Sequence, residues 1–276
     1  MKIMRSVAQL QEALGGQHSI GFVPTMGFLH EGHASLLEQA RAENDIVVLS
    51  IFINPTQFGP NEDLDRYPRD ETRDQQLAQS AGVDYLFYPT NEVMYPLDMA
   101  RVTVRSGDDV LCGASRPGHF DGVLTVVSKL FNIVRPTRAY FGLKDAQQLA
   151  LIEGYVADYF VPVEIKRCPI IREADGLAKS SRNVYLSDRE REQAPGIQQA
   201  LVEAKQALDQ GQPLETVLEK TRTLLQFEGA AIDYAEAVAY PTLGPVDATT
   251  ETILLAVAVQ FESARLIDNL LYTRGA

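Results

Sequence analysis

No apolar run in this sequence reaches the roughly 20 residues needed to span a bilayer. The longest, at 46–53 and 253–259, have the length of single strands. The N-terminal segment 1–10 carries charge early and holds no apolar core of a signal peptide, so no secretory leader is expected. Cysteine is scarce: Cys112 and Cys168 stand far apart and form no CxxC pair. That excludes a disulfide framework and suits a reducing cytoplasm, with each thiol read as buried and inert. Basic charge is also in short supply, 25 Lys and Arg against 37 Asp and Glu, for a net charge of −12. Neither a general nucleic-acid binder nor a protein seated on an anionic membrane fits that balance. GxGxxG does not follow the first strand, and GxxxxGK before Ser or Thr does not occur, so a Rossmann dinucleotide fingerprint and a P-loop are unsupported. Internal repeats and low-complexity tracts are absent as well.

What remains is a chain of 276 residues, 45% hydrophobic, long enough to bury a core without staples. Its first part alternates short apolar runs with helical spacing. Strands are expected at 19–23 (stopped by Pro24), 46–53, 83–88, 139–142 and 161–168. Helices are expected at 33–43, 70–81, 120–134 and 146–159. Residues 89–118 read as loops with one strand near 101–105. The alternation argues for a mostly parallel sheet with helices on both faces. After Ile171 the pattern changes. A polar stretch at 173–186 is followed by a capping box, Ser187 to Glu190, and by helices interrupted at Pro195-Gly196. Strand-like runs at 232–238, 253–259 and 266–272 then close the chain. Helices followed by consecutive strands suggest a small α+β domain, with the boundary near 171–172.

Four polar clusters sit at strand ends or at that boundary. Pro24 to His33 (PTMGFLHEGH) lies where the first strand meets a helix. Ligands of open α/β sheets bind at such ends. Gly27 and Gly32 permit a tight turn and close backbone approach. His30 and His33 near a helix N-terminus can face one anion, beside backbone N–H donors. A metal pair and an ordinary loop are the other readings, and the string is one residue short of HExxH. Asn54 to Pro60 (NPTQFGP) offers Gln57, suited to a carboxylate or hydroxyl; alternatively it is a plain turn built by Asn-Pro and Gly-Pro. Phe141 to Gln148 (FGLKDAQQ) contains Lys144 at a helix start, where a cation is unfavourable unless an anion joins it. Asp145 with Gln148 can be a capping box instead. Asp175 to Asn183 (DGLAKSSRN) could close on phosphates or be a solvated linker.

Taken together, PTMG-x-LH-x-GH at 24–33, NP-x-QF at 54–58, RPGHF-x-GV at 116–123, FG-x-KD-x-QQ at 141–148, DGLA-x-SSRN at 175–183 and RLIDN at 265–269 resemble the pantoate–β-alanine ligase family. The two-histidine motif is also similar to the HIGH motif of the wider nucleotidyltransferase superfamily. The resemblance implies a Rossmann-like domain, residues 1–171, that binds ATP and pantoate, and a smaller C-terminal α+β lid domain, 172–276. It implies ATP-dependent condensation of (R)-pantoate with β-alanine through a pantoyl adenylate, with ATP as substrate together with Mg2+ and no tightly bound organic cofactor. By the same resemblance His33, His30 and Lys144 are the catalytic candidates. Pro24, Met26, Gly27, His30, Gly32, His33, Gly142, Leu143, Lys144, Asp145, Ile171, Lys179, Ser180, Ser181 and Arg182 are placed at ATP. Gln57 and Gln148 are placed at pantoate, with Gln57 also near β-alanine. A cytoplasmic homodimer follows by analogy. Leu143, Ala146 and Lys179 depart from common family residues, and Phe28, Thr56 and Asp121 occupy variable slots. Two rivals are a transferase moving AMP or CMP onto a phosphate and a non-catalytic nucleotide-binding module. The glutamines speak against the first, and the retained histidines, Lys144 and SSRN segment against the second.

Overall fold

The computed structural model describes residues 1–16, 18–60, 62–97 and 99–275. Its elements run β1 (Lys2–Met4), α1 (Val7–Ala13), β2 (Ile20–Thr25), α2 (Glu31–Glu43), β3 (Ile46–Ile51), α3 (Glu71–Ser80), β4 (Tyr85–Phe87), α4 (Asn91–Met94), α5 (Leu111–Ser115), α6 (His119–Val134), β5 (Arg138–Gly142), α7 (Ala146–Asp158) and β6 (Glu164–Cys168). There follow α8 (Asp188–Gln193), α9 (Gly196–Asp209), α10 (Leu214–Leu224), β7 (Ala231–Ala239), β8 (Thr252–Gln260) and β9 (Arg265–Thr273). The chain divides into two compact units. The first contains Met1–Arg105, Arg116–Leu143 and Leu151–Pro169; the second contains Ser106–Ser115, Lys144–Ala150 and the residues from Ile170 onward. Among the described residues no helix is long and apolar enough to cross a membrane.

In the first unit six parallel strands lie in the order β1-β4-β3-β2-β5-β6. On one face Val23, Val47, Leu49, Leu86 and Tyr140 pack with Leu36, Leu37 and Ala40 of α2 and Ala78 of α3. On the other, Phe22 and Phe141 each meet Phe131 of α6 edge-on, with ring centres 6.4 Å apart. Helices thus cover both faces, which is why β3 is apolar without alternation. The strand order reverses at β2, with β3 and β4 to one side and β5 and β6 to the other. The carboxyl ends of β2 and β5 therefore flank the topological switch point, where such sheets bind ligands.

The structure departs from expectation in four places. β2 does not stop at Pro24 but runs to Thr25. The backbone of Pro24 faces the β5 side, and β5 pairs with β2 only at Gly21 and Phe22, so the missing N–H removes no ladder bond. The strand expected near 101–105 is not one. Val102 and Val104 give their N–H groups to Thr125 Oγ1 (2.9 Å) and Asp121 Oδ1 (2.7 Å) of α6, not to a neighbouring strand. The stretch read as loops also holds the short helices α4 and α5. Finally, β1 and α1 went unpredicted, although Ser6 and Gln9 form a capping box that the sequence spells out.

In the second unit β7, β8 and β9 form an antiparallel sheet. Leu255, Val257 and Val259 of β8 pack against Ile197, Ala200, Leu201 and Ala204 of α9 and Val217 of α10. α8 opens on the expected box, in which Glu190 accepts from Ser187 N–H (2.8 Å) while Ser187 Oγ accepts from Glu190 N–H (3.4 Å). The fold is the expected α/β sheet with a small C-terminal antiparallel sheet.

Candidate active site

The turn after β2 is the most constrained part of the first unit. Gly27 has φ +87°, and a Cβ there would come within 2.9 Å of Ile51 Cγ2 and 3.0 Å of Asp74 Oδ2. Both conformation and space therefore require glycine. Phe28 also takes a left-handed φ of 50°. Asp74 of α3, 2% exposed, holds this turn with both carboxylate oxygens: Phe28 N–H donates to Oδ2 (2.8 Å) and Leu29 N–H to Oδ1 (2.6 Å). Burial raises the Asp74 pKa, and the two N–H donors oppose that rise. Gly32 lies inside the first turn of α2, so the tight turn belongs to Gly27.

The helix was expected from residue 33 and begins at Glu31, because a histidine serves as its cap. His30 Nδ1 accepts from Gly32 N–H (3.1 Å), and His33 Nδ1 accepts from His30 N–H (3.3 Å). This is a capping box built from two imidazoles, with ring centres 4.1 Å apart. A ring nitrogen that accepts carries no proton, so this geometry assigns the proton of each ring to Nε2. Two Nε2–H donors thus sit together at the N-terminus of a 13-residue helix, beside the switch point.

Gln57 ends a 3-10 turn after β3 and is 9% exposed. Its Oε1 accepts from Asn54 Nδ2 (3.1 Å), and its Nε2 donates to Met26 Sδ (3.3 Å). A thioether is a weak acceptor, so that amide can exchange it for a carboxylate or hydroxyl oxygen. Asn54, 1% exposed, organises the turn: it donates to Gly122 O (3.1 Å) and accepts from Tyr95 OH (2.6 Å). A Cβ on Gly122 would lie 2.3 Å from Thr56 O, so α6 can press against the turn only at a glycine. His119 Nδ1 lies 2.8 Å from Gln57 O and Arg116 Nη1 3.0 Å from His119 Nε2, which fits a neutral ring with its proton on Nδ1. Arg116 also pairs with Glu62. Burial acts to raise the Glu62 carboxyl, but the hydrogen bond and charge of Arg116 outweigh it and lower the pKa.

Most of the other expected residues belong to the second unit. Lys144 stands in a 3-10 turn after β5, and Asp145 Oδ2 lies 4.0 Å from its Nζ, at the edge of ion pairing. Gln148 is half-buried in the first turn of α7. Its neighbour Gln147 is a structural residue whose Nε2 donates to Gly107 O and Val110 O, both at 2.8 Å. The stretch 171–179 is no solvated linker. It folds back as a narrow ribbon through Lys179 N–H to Ile171 O (2.9 Å) and Glu173 N–H to Leu177 O (2.7 Å), turning at Gly176. Ser180 Oγ then accepts from Arg182 N–H (3.3 Å) and caps the turn Ser181–Tyr185. Lys179 Nζ pairs with Glu173 at 2.9 Å. Among the described residues no group of three His, Cys, Asp or Glu is placed to hold a metal ion.

Residues 2–271 match the family described as Pantoate-beta-alanine ligase. A pantothenate synthetase from Exiguobacterium sibiricum is 89% identical over the full length of both chains. The crystal structure of pantothenate synthetase from Thermus thermophilus superimposes with a TM-score of 0.94 at 48% identity, covering 98% of this chain and 99% of that one. A Francisella tularensis pantoate-beta-alanine ligase, solved with beta-gamma ATP and beta-alanine, gives a TM-score of 0.82 at 38% identity, covering 98% and 97%.

The chain belongs to the pantoate-beta-alanine ligase family.

It is accordingly a ligase that joins pantoate to β-alanine through a new C–N bond. Asp74, Asn54 and Tyr95 are the residues of this ligase that sequence reasoning missed. The buried carboxylate of Asp74 stands in an otherwise polar helix and gave no local signal; Asn54 was visible as the start of NPTQF but was read as turn chemistry alone. Cys168 is buried, and burial with help from Glu43 pushes its thiol up to about 11. Cys112 is buried beside Tyr234 OH, 3.2 Å away.

Proposed function

We propose that the enzyme activates the carboxylate of (R)-pantoate with ATP. The carboxylate oxygen bonds to the α-phosphorus, the bond to pyrophosphate breaks, and a pantoyl adenylate remains. The β-alanine amine then attacks the activated carbonyl, AMP leaves, and pantothenate is released. The observation that carries this reading is the imidazole capping box, which holds the Nε2–H donors of His30 and His33 at a helix N-terminus beside the switch point. Charge that develops on phosphate oxygens is stabilised most by donors fixed in advance. His33 is assigned as the donor to the transferring phosphate, His30 as a second phosphate contact, and Lys144 as the cation on the transferring group. Pro24, Met26, Gly27, Gly32, Gly142, Leu143, Asp145, Ile171, Lys179, Ser180, Ser181 and Arg182 are assigned to ATP. Gln57 and Gln148 are assigned to pantoate, with Gln57 also near β-alanine. The Francisella relative, solved with beta-gamma ATP and beta-alanine, supports both ligands.

Mg2+ would enter with ATP, with phosphate and water oxygens as its main ligands. Residues 1–171 are assigned ATP and pantoate binding and residues 172–276 the role of a lid, since a mixed anhydride must be kept from water. A cytoplasmic homodimer completes the proposal, and sedimentation at several concentrations tests the dimer. The adenylate is tested by labelling the pantoate carboxylate with a heavy oxygen isotope. Transfer of one labelled oxygen to AMP supports the route; unlabelled AMP sinks it.

A further inference from the structure

The motif Arg265 to Asn269 opens β9 and has no part in the assignments above. Asp268 is 3% exposed and Asn269 7% exposed, two polar residues in succession inside a small sheet. Burying a carboxylate is costly unless it is paired and hydrogen-bonded. Asp268 is both: Arg172 Nη1 donates to Oδ2 (2.6 Å), Arg172 Nη2 to Oδ1 (3.0 Å) and Asn269 N–H to Oδ1 (2.8 Å). The same Arg172 Nη1 donates to Gly176 O at 3.1 Å, closing the ribbon 171–179 across its turn. Asn269 Nδ2 donates to the backbone oxygen of Lys144 at 2.8 Å. Consecutive strand residues project to opposite faces, so the pair reaches two segments at once. One is the backbone that carries the Lys144 amine; the other leads directly into Lys179, Ser180, Ser181 and Arg182.

We propose that Asp268 and Asn269 are positioning residues for the adenylation step. Asn269 fixes Lys144 through its carbonyl, and Asp268, acting through Arg172, fixes the ribbon that presents Lys179 to Arg182. This rests on the assignment of Lys144 to the transferring phosphate. Replacing a buried ion pair by apolar groups of similar volume is often neutral or stabilising, so stability alone does not call for the Arg172–Asp268 pair. A displacement of about 1 Å at a reacting group costs up to roughly 100-fold in rate, which is the scale on which such a grip matters.

A double-mutant cycle on the full-length enzyme tests it. Single-turnover pyrophosphate release is measured for wild type, Asn269→Ala, Lys144→Ala and the double variant, with melting temperatures alongside. Asn269→Ala is expected to lower the rate by roughly 10- to 100-fold, with the KM for pantoate within about twofold of wild type. In the Lys144→Ala background the same change is expected to cost less than about twofold, because the group it positions is gone. Equal losses in both backgrounds would overturn the role of Asn269. A wild-type rate for Lys144→Ala alone would instead remove the assignment of Lys144. If Asn269→Ala does not fold, Asn269→Leu keeps the volume and removes the donor. For the second half, Asp268→Asn keeps the shape, and an unchanged KM for ATP would overturn it; the expected rise is about tenfold.

Discussion

The turn that carries the two histidines and the segment that carries Lys144 are held in place by different means. The histidine turn is built largely from its own neighbours. His30 and His33 cap one another, Gly32 supplies an N–H, and Gly27 gives the turn its conformation, while Asp74 of α3 grips the turn from further along the chain. The lysine segment is held from far along the chain: Asn269 is 125 residues from Lys144, and Asp268 is 96 residues from Arg172. Local construction leaves a readable pattern, whereas a grip across the fold leaves two unremarkable polar residues in a strand.

Substitutions separate the two modes. The largest effects are expected at the groups assigned to the transferring phosphate. His33→Ala and Lys144→Ala should each cut adenylate formation by at least roughly 100-fold, the usual scale for one acid–base or electrostatic group. Single-turnover quenched-flow measurements check this, and near-wild-type rates would contradict the roles assigned. Next comes Asp74→Ala, which leaves the N–H groups of Phe28 and Leu29 without their carboxylate. Hydrogen bonds to a charged group contribute about 1.5–3 kcal/mol, so a stability loss of that order is expected in urea unfolding. This change should lower stability as well as rate; an unchanged unfolding midpoint would contradict the grip assigned to Asp74.

A change in the acid dependence of stability is expected at Glu190. Burial acts to raise this carboxyl, but the hydrogen bonds from Ser263 and Ser187 outweigh it and hold it at about 2, against an ordinary value of 4.5. The stability it supplies is full above about pH 4.5 and is lost as pH falls toward 2. Glu190→Gln should flatten acid unfolding of the second unit within that window and leave the first unit unaffected. The smallest effect is expected at Lys179, whose charge is already paired with Glu173. Such pairs are worth about 0.2–1 kcal/mol, so Lys179→Met should raise the KM for ATP by no more than about fivefold. A change as large as that of Lys144→Ala would make the ribbon the main phosphate contact instead.

The same contrast explains how much was legible beforehand. The parallel sheet was readable because burial on both faces makes β3 and its neighbours continuously apolar. The capping box at Ser187 and Glu190 was readable because its partners are three residues apart. The start of α2 was misread because a histidine cap lacks the side chains that usually announce a helix. The segment at 101–105 looked like a strand because its donors are satisfied by α6, which sequence alternation does not reveal. Ala146, one of the departures from common family residues, is 3% exposed and packs in the interior. The positioning pair was visible as part of a motif, yet its partners became clear only once β9 had been placed in its sheet.

The most direct test of the account is pyrophosphate release from ATP, Mg2+ and pantoate, with and without β-alanine, followed alongside AMP and pantothenate. The account predicts sustained pyrophosphate release only when both acids are present, with AMP and pantothenate matching it mole for mole. No pantoate-dependent pyrophosphate from folded, ATP-binding protein would contradict it.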